Sequence, residues 1–221
     1  MALTQITTPM IADQAVVTVD IADTAVTAAK LATDAVTTAK ILDLNVTTAK
    51  LAANAVTPAK MSQPFTHGTP TTTTSGTEKD FTGIPSWVRR IIVSLNGVSL
   101  SSTALLRFRL GTSGGFATSG YLGAGSVIAA VVATANQTAG FDIYNSAPAA
   151  ADIYCGTIEF TCVDPTNHIW VASGTFAQTS SARTFVTGGQ VTLSGALTQV
   201  RLTTSNGTDT FDAGTINIHY E

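Results

Sequence analysis

Between Ile21 and Lys60 the chain reads IADTAVTAAK LATDAVTTAK ILDLNVTTAK LAANAVTPAK, one ten-residue phrase four times over, and residues 11–20 are a worn copy of it. Position one holds Ile11, Ile21, Leu31, Ile41 and Leu51; position six holds Val16, Val26, Val36, Val46 and Val56. Position seven is Thr27, Thr37, Thr47 and Thr57, and position ten is Lys30, Lys40, Lys50 and Lys60. Self-similarity this regular marks a repeat architecture. A period of ten is one that regular secondary structure cannot carry. Ten α-helical residues at about 100° each fall about 80° short of three turns, so the Ile/Val stripe would drift around the helix and form no seam. A coiled coil needs a heptad or hendecad. In a continuous strand, positions one and six face opposite sides. The unit must therefore turn within itself.

Local chemistry indicates how. Thr at position seven is a good helix N-cap, and the residues after it favour helix. Pro58 follows Thr57 at the first-turn site where proline is tolerated. Asp or Asn at positions three and four ends the turn, and Ala-Val at five and six reads as extended. Each unit is expected to be a helical turn or two, a bend and a short extended link. Two large apolar side chains per unit do not offset the entropy of ordering ten backbones. Several identical chains are therefore expected to wind together, with Ile21, Val26, Leu31, Val36, Ile41, Val46, Leu51 and Val56 on a shared seam. The alternative, a flexible Ala/Thr linker, leaves the regular Val without a reason.

Composition narrows the function classes. Of 221 residues, 44 % are hydrophobic and only 11 % charged, so the chain is expected to fold under a surface of Thr, Ser, Gly and Asn. The net charge of −3 comes with no Lys/Arg run, which argues against nucleic acid as a partner. No apolar stretch approaches the ~18 residues of a membrane span, and SVIAAVVATA (residues 126–135) reads as one buried strand. Met1 is followed by nothing of signal-peptide type, so synthesis in a cytoplasm is expected. Cys155 and Cys162 lack CxxC spacing; on one strand they face opposite sides, which predicts free, buried thiols.

Residues 62–80 carry Pro, Gly and a Thr run without apolar period, and read as a connector or an extended arm. Thr71 to Thr74 either pair along a sheet edge or form a hinge. From Phe81 the chain alternates short apolar runs with turns. Asn96-Gly97 and Gly188-Gly189 are hairpin signals, Pro165-Thr166-Asn167 is a turn, and Asn206-Gly207 precedes a last strand with Ile216, Ile218 and Tyr220 inward. Leu106, Phe108 and Leu110 share a face opposite Arg107 and Arg109. About eight to ten strands and no long helix predict a mainly β fold, a β-sandwich of jelly-roll-like kind.

Catalytic patterns are missing. His67, His168 and His219 are scattered, no HxH or HExxH appears, and no Gly-x-Ser-x-Gly elbow supports a triad. The expectation is no enzyme, no metal and no cofactor. GTSGG and GAGS read as loops rather than phosphate cradles, since no helix follows either. Among the aromatics, Trp170 alternates with Ala172 and Phe176 and reads as core, while Trp87 is either a seam residue or a sugar-stacking platform. Tyr121 and Tyr144, beside Gly- and Asn-rich loops, are the candidate exposed aromatics for binding a receptor.

The tandem phrase A-V-T-x-A-K-[IL]-A resembles the decapeptide-type repeats of bacteriophage fibre proteins, both tail fibres and head fibres. FTGIPSWVRRIIVSLNGVS, GYLGAGS and TFVTGGQVTLSGALTQVRLTTSNGTDTFDAGTINIHYE resemble the carboxy-terminal head domains of phage tail fibres. The resemblance implies a homotrimer exposed on the virion surface. Residues 1–10 would dock on another virion protein, 11–61 form the shaft, 62–80 link, and 81–221 form a β head. It implies a tip that binds a bacterial surface glycan or protein, without nucleic acid or membrane insertion. A capsid-mounted head fibre with an accessory adsorption role, or a polysaccharide-degrading tip, remain the alternatives.

Overall fold

Alternation of apolar and polar residues along residues 81–221 is what makes most of the strands here, because successive side chains point to opposite faces and one face can be buried continuously. The computed structural model describes residues 17–37, 40–41, 45–53, 55–57, 60–130 and 132–221. The expected docking segment 1–10, and residues 11–16 of the first repeat, lie outside the described residues. The chain divides into two units, one ending at Val56 and one spanning Thr57–Glu221.

In the first unit the same two turns recur. The amide of position ten donates to the carbonyl of position seven, as in Lys30 to Thr27 (2.9 Å), Lys40 to Thr37 (2.9 Å) and Lys50 to Thr47 (2.9 Å). The amide of position five donates to the carbonyl of position two, as in Ala25 to Ala22, Ala35 to Ala32 and Ala55 to Ala52, each 3.0 Å. Inside that second turn Thr24 and Asp34 take positive φ of 67° and 63°. The expected helical turn is a single 3-10 turn, seen at Thr18–Asp20, Ala28–Lys30 and Thr48–Lys50. The expected N-cap differs as well. Thr27 is extended (φ −92°, ψ 164°) and its side chain makes no capping bond; its carbonyl closes the turn instead. A three-residue turn leaves few orphan amides for a hydroxyl to serve.

The second unit is mainly β. Its strands are β1 (Thr66–His67), β2 (Thr71–Thr72), β3 (Glu78–Thr82), β4 (Arg90–Leu100), β5 (Leu106–Thr112), β6 (Gly115–Phe116) and β7 (Tyr121–Ile128). They continue as β8 (Ala133–Gln137), β9 (Phe141–Asp142), β10 (Tyr154–Asp164), β11 (Ile169–Gln178), β12 (Arg183–Thr192), β13 (Gln199–Thr204) and β14 (Phe211–Tyr220). A nine-stranded sheet runs β1-β14-β4-β10-β11-β12-β7-β8, with β2 also on β14; a five-stranded sheet runs β3-β13-β5-β6, with β9 on β5. The pairs are antiparallel.

One hydrophobic core joins the two sheets. Phe108 of the smaller sheet meets Phe160 and Phe176 of the larger at ring separations of 6.1 and 6.0 Å. The expected alternation holds on β5, where Leu106, Phe108 and Leu110 are buried and Arg107 and Arg109 point outward. It holds on β14, where Ile216 and Ile218 are buried and Tyr220 packs against the core.

Several local readings differ. Segment 62–80 is not a bare connector: it contributes β1, β2 and the start of β3, and Thr73 is fully buried, its hydroxyl donating to the Ala213 carbonyl at 2.8 Å. Thr71 and Thr72 take the sheet-edge alternative by pairing with β14. Asn96-Gly97 does not turn; it lies inside β4. Gly97 (φ 68°) faces Gly214 (φ 95°) on β14, and the β4–β14 register shifts there, a bulge that uses the left-handed freedom of glycine. Gly188-Gly189 also stays within β12, because β7 passes so close that a Cβ on Gly189 would lie 2.4 Å from the Gly123 Cα. GAGS is the middle of β7, not a loop. SVIAAVVATA breaks into the end of β7, a connection and the start of β8, leaving Ile128 and Val132 exposed. Cys155 and Cys162 are free, and both are half-buried rather than buried.

Candidate functional site

Two features stand out, one in each unit. In the repeats, Ile21, Val26, Leu31, Val36, Ile41, Val46, Leu51 and Val56 are all 45–58 % exposed in the single chain. The hydrogen bonds seen among the described repeat residues link positions three or five apart, and they hold the turns without covering the apolar side chains. Lysine at position ten belongs to this local frame, which sequence reasoning did not anticipate. Lys30 donates to the Ala25 carbonyl, Lys40 to Ala35 and Lys50 to Asn45, each at 2.6 Å. The signal for that role was the strict spacing of five between lysine and the bend.

In the second unit, a cavity of about 340 Å³ opens where the β7–β8 connection, the segment after β9 and the β11–β12 turn meet. Val127, Ala129, Ser146, Ser181 and Arg183 line it. The segment after β9 is held by the buried carboxylate of Asp152. Its Oδ2 accepts from Asn145 Nδ2 (2.9 Å), the Ala149 amide (3.0 Å) and the Tyr154 hydroxyl (3.3 Å), and its Oδ1 accepts from Gln178 Nε2. Burial pushes the Tyr154 hydroxyl up to about 12, which keeps it a donor. Asn145 Oδ1 in turn accepts from the Arg183 guanidinium at 3.1 Å, and the same Nη1 reaches the Ala147 carbonyl at 3.4 Å.

The three aromatic candidates do not come together. Tyr144 is half-buried on the segment after β9, one residue from Asn145, at the end of the strands where this cavity lies. Trp87 is partly buried against the core at the opposite end, just before β4, whose Arg90 pairs with Thr161 near the end of β10. β1 lies at that end too, since it pairs with His219 and Tyr220 and these pair with Ile92 and Ile91 of β4. Tyr121 is not exposed. It is 1 % exposed, its hydroxyl donates to the Ala117 carbonyl (3.2 Å) and accepts from the Leu110 amide (3.0 Å), and its ring meets Phe141 edge-on. Buried in the core, it has no surface to offer a receptor. Trp170, by contrast, is core as expected, at 3 % exposure.

His67 and His219, far apart in sequence, meet through their Nδ1 atoms at 3.2 Å across β1 and β14. Burial, with the neighbouring His67, holds His219 below the usual histidine range. Among the described residues no three His, Cys, Asp or Glu side chains gather closely enough to hold a metal ion, and no helix is long and apolar enough to cross a membrane. The chain matches no family model, no curated protein and no solved structure.

Proposed function

We propose that this chain is a structural fibre of a tailed-phage virion, a homotrimer in which the decapeptide repeats form a shaft and the two-sheet unit forms a jelly-roll-like β-sandwich head. The amino-terminal residues dock on another virion protein, and the head binds a glycan or protein on the bacterial surface. It attaches rather than cuts. Several trimers on one particle convert weak single contacts into lasting adsorption.

The observation that carries this reading is the apolar ladder. Eight Ile, Leu and Val side chains, spaced five apart, stay half exposed in a lone chain, and no described residue of the repeats is buried. Water contact along such a row is unfavourable, and parallel copies in register bury it at every step. The cavity at the Tyr154–Gln178 end of the larger sheet supports a head that meets its receptor there. Light scattering on the full chain tests the assembly. The expected mass is three times 22.7 kDa; a monomer at micromolar concentration would overturn the shaft and the fibre with it.

A further inference from the structure

We infer that the cavity framed by Arg183, Ser146 and Ser181 binds an acidic sugar unit, its carboxylate or phosphate on the Arg183 guanidinium. This deepens the attachment reading above and rests on it.

The argument begins with where each arginine spends its charge. Arg107 is locked to Asp142 through Nε (2.6 Å) and Nη2 (2.9 Å). Arg201 pairs with Asp80 (2.6 Å) and Glu78 (2.5 Å), and Arg90 with Glu221 (2.9 Å). Among the described residues these are the arginines in ion pairs. Arg89, Arg109 and Arg183 bond to neutral oxygens instead. Arg89 lines a cavity of only about 30 Å³, too small for a sugar. Arg183 lines one of about 340 Å³, within the roughly 300–1,000 Å³ of small-ligand sites.

Arg183 is also held in place. Asn145 accepts from it and is fixed by Asp152, itself buried at 6 % exposure with its oxygens filled by donors from Asn145, Ala149, Tyr154 and Gln178. Asp152 stands one side chain away and makes no direct ion pair with the guanidinium. Only Nη1 is engaged by Asn145 and Ala147, which leaves the Nε and Nη2 edge for a planar oxyanion, the fork that suits carboxylate and phosphate. Ser146 and Ser181 supply hydroxyls for sugar hydroxyls, and Ala129 and Ala130 supply a small apolar wall for a pyranose face. A neutral sugar leaves the guanidinium unanswered, so the site discriminates by charge.

The test uses the full chain, titrated by calorimetry at low salt with oligogalacturonate, with glucose 6-phosphate and with neutral malto-oligosaccharide. Binding of either acidic probe and not of the neutral one is expected, and the two acidic arms separate carboxylate from phosphate. Arg183→Gln should weaken the acidic probe about ten- to hundredfold. Arg183→Lys should recover part of that loss, and Arg89→Gln should bind as the wild type does. Melting temperatures of all variants are measured alongside. Equal binding of acidic and neutral probes, wild-type affinity in a folded Arg183→Gln, or no binding of either acidic probe at millimolar concentration overturns the inference. Adsorption of labelled full chain to a panel of bacterial strains separates the two levels. Undiminished adsorption of Arg183→Gln sinks the acidic-sugar site and leaves attachment standing, whereas a trimeric wild type that adsorbs to no strain sinks attachment.

Discussion

Tyr121 shows how one side chain sits at odds with its sequence neighbourhood. GYLGAGS looks like a glycine loop, yet Gly123 and Gly125 are there because β12 and the segment after β9 press against β7: a Cβ on Gly125 would lie 2.9 Å from the Tyr144 Cβ. Tyr121 therefore opens a strand and points inward. Burial raises its hydroxyl from an ordinary value near 10 to about 12. The unfolded chain releases this proton first. The stabilisation is thus complete below about pH 10 and is lost as pH rises through 10 to 12. Tyr121→Phe leaves the buried Leu110 amide without its acceptor and should cost about 1–3 kcal/mol in urea unfolding at neutral pH. The variant should also lose less stability between pH 10 and 12 than the wild type, keeping only the share that comes from Tyr154, which is also raised to about 12. A variant as stable as the parent would mean that the Leu110 bond is not made. Trp170 was legible from sequence because its own strand carried the pattern. The cavity was not, since Asn145 and Asp152 lie on the segment after β9 and Gln178 and Arg183 flank the β11–β12 turn, and only strand pairing brings the two segments together.

At the scale of elements, the same dipeptide has two fates. Asn206-Gly207 is a turn, with Asn206 Oδ1 accepting from the amides of Thr208 (3.0 Å) and Asp209 (3.1 Å). Asn96-Gly97 is a bulge inside a strand. Local chemistry specifies only that the glycine takes positive φ, 71° and 68° respectively. Whether the chain then reverses depends on partners more than a hundred residues away, which no local window contains. Strand existence was therefore readable from alternation, whereas the hairpin assignments that depended on Asn96-Gly97 and Gly188-Gly189 were not. The contrast can be measured. Nothing lies within 4 Å of a Cβ at Gly207, so Gly207→Ala should cost only the left-handed penalty of about 1–2 kcal/mol. At Gly214 the added carbon would meet the Gly97 carbonyl at 2.4 Å, so Gly214→Ala adds a backbone clash and should cost about 2–4 kcal/mol. Urea midpoints of the two variants in parallel give the comparison; equal losses would mean that the two strands do not approach at the bulge.

For the whole molecule, the two units differ in what they need in order to persist. The second unit carries its own core, with Phe108, Phe141, Phe160 and Phe185 inaccessible to water. The repeats have turns, and none of their described residues is buried. A shaft built from them, as proposed above, would take its stability from other copies of the chain. It follows that the units should respond oppositely to the same kind of change. Val36→Asp with Val46→Asp puts two carboxylates per chain on the ladder, and a trimer with that seam on its axis would have to bury six. Unpaired charges cannot be desolvated at acceptable cost, so the doubly substituted full chain should fall to a monomer by light scattering at neutral pH. The same protein should keep the cooperative thermal transition of its two-sheet unit, followed by near-ultraviolet circular dichroism of the buried Trp170 and Tyr121. Lowering the pH below the carboxylate range should neutralise the aspartates and restore part of the assembly. If the wild type is a trimer and the double variant keeps the same mass, the ladder is not the seam, and the copies are joined elsewhere in the chain.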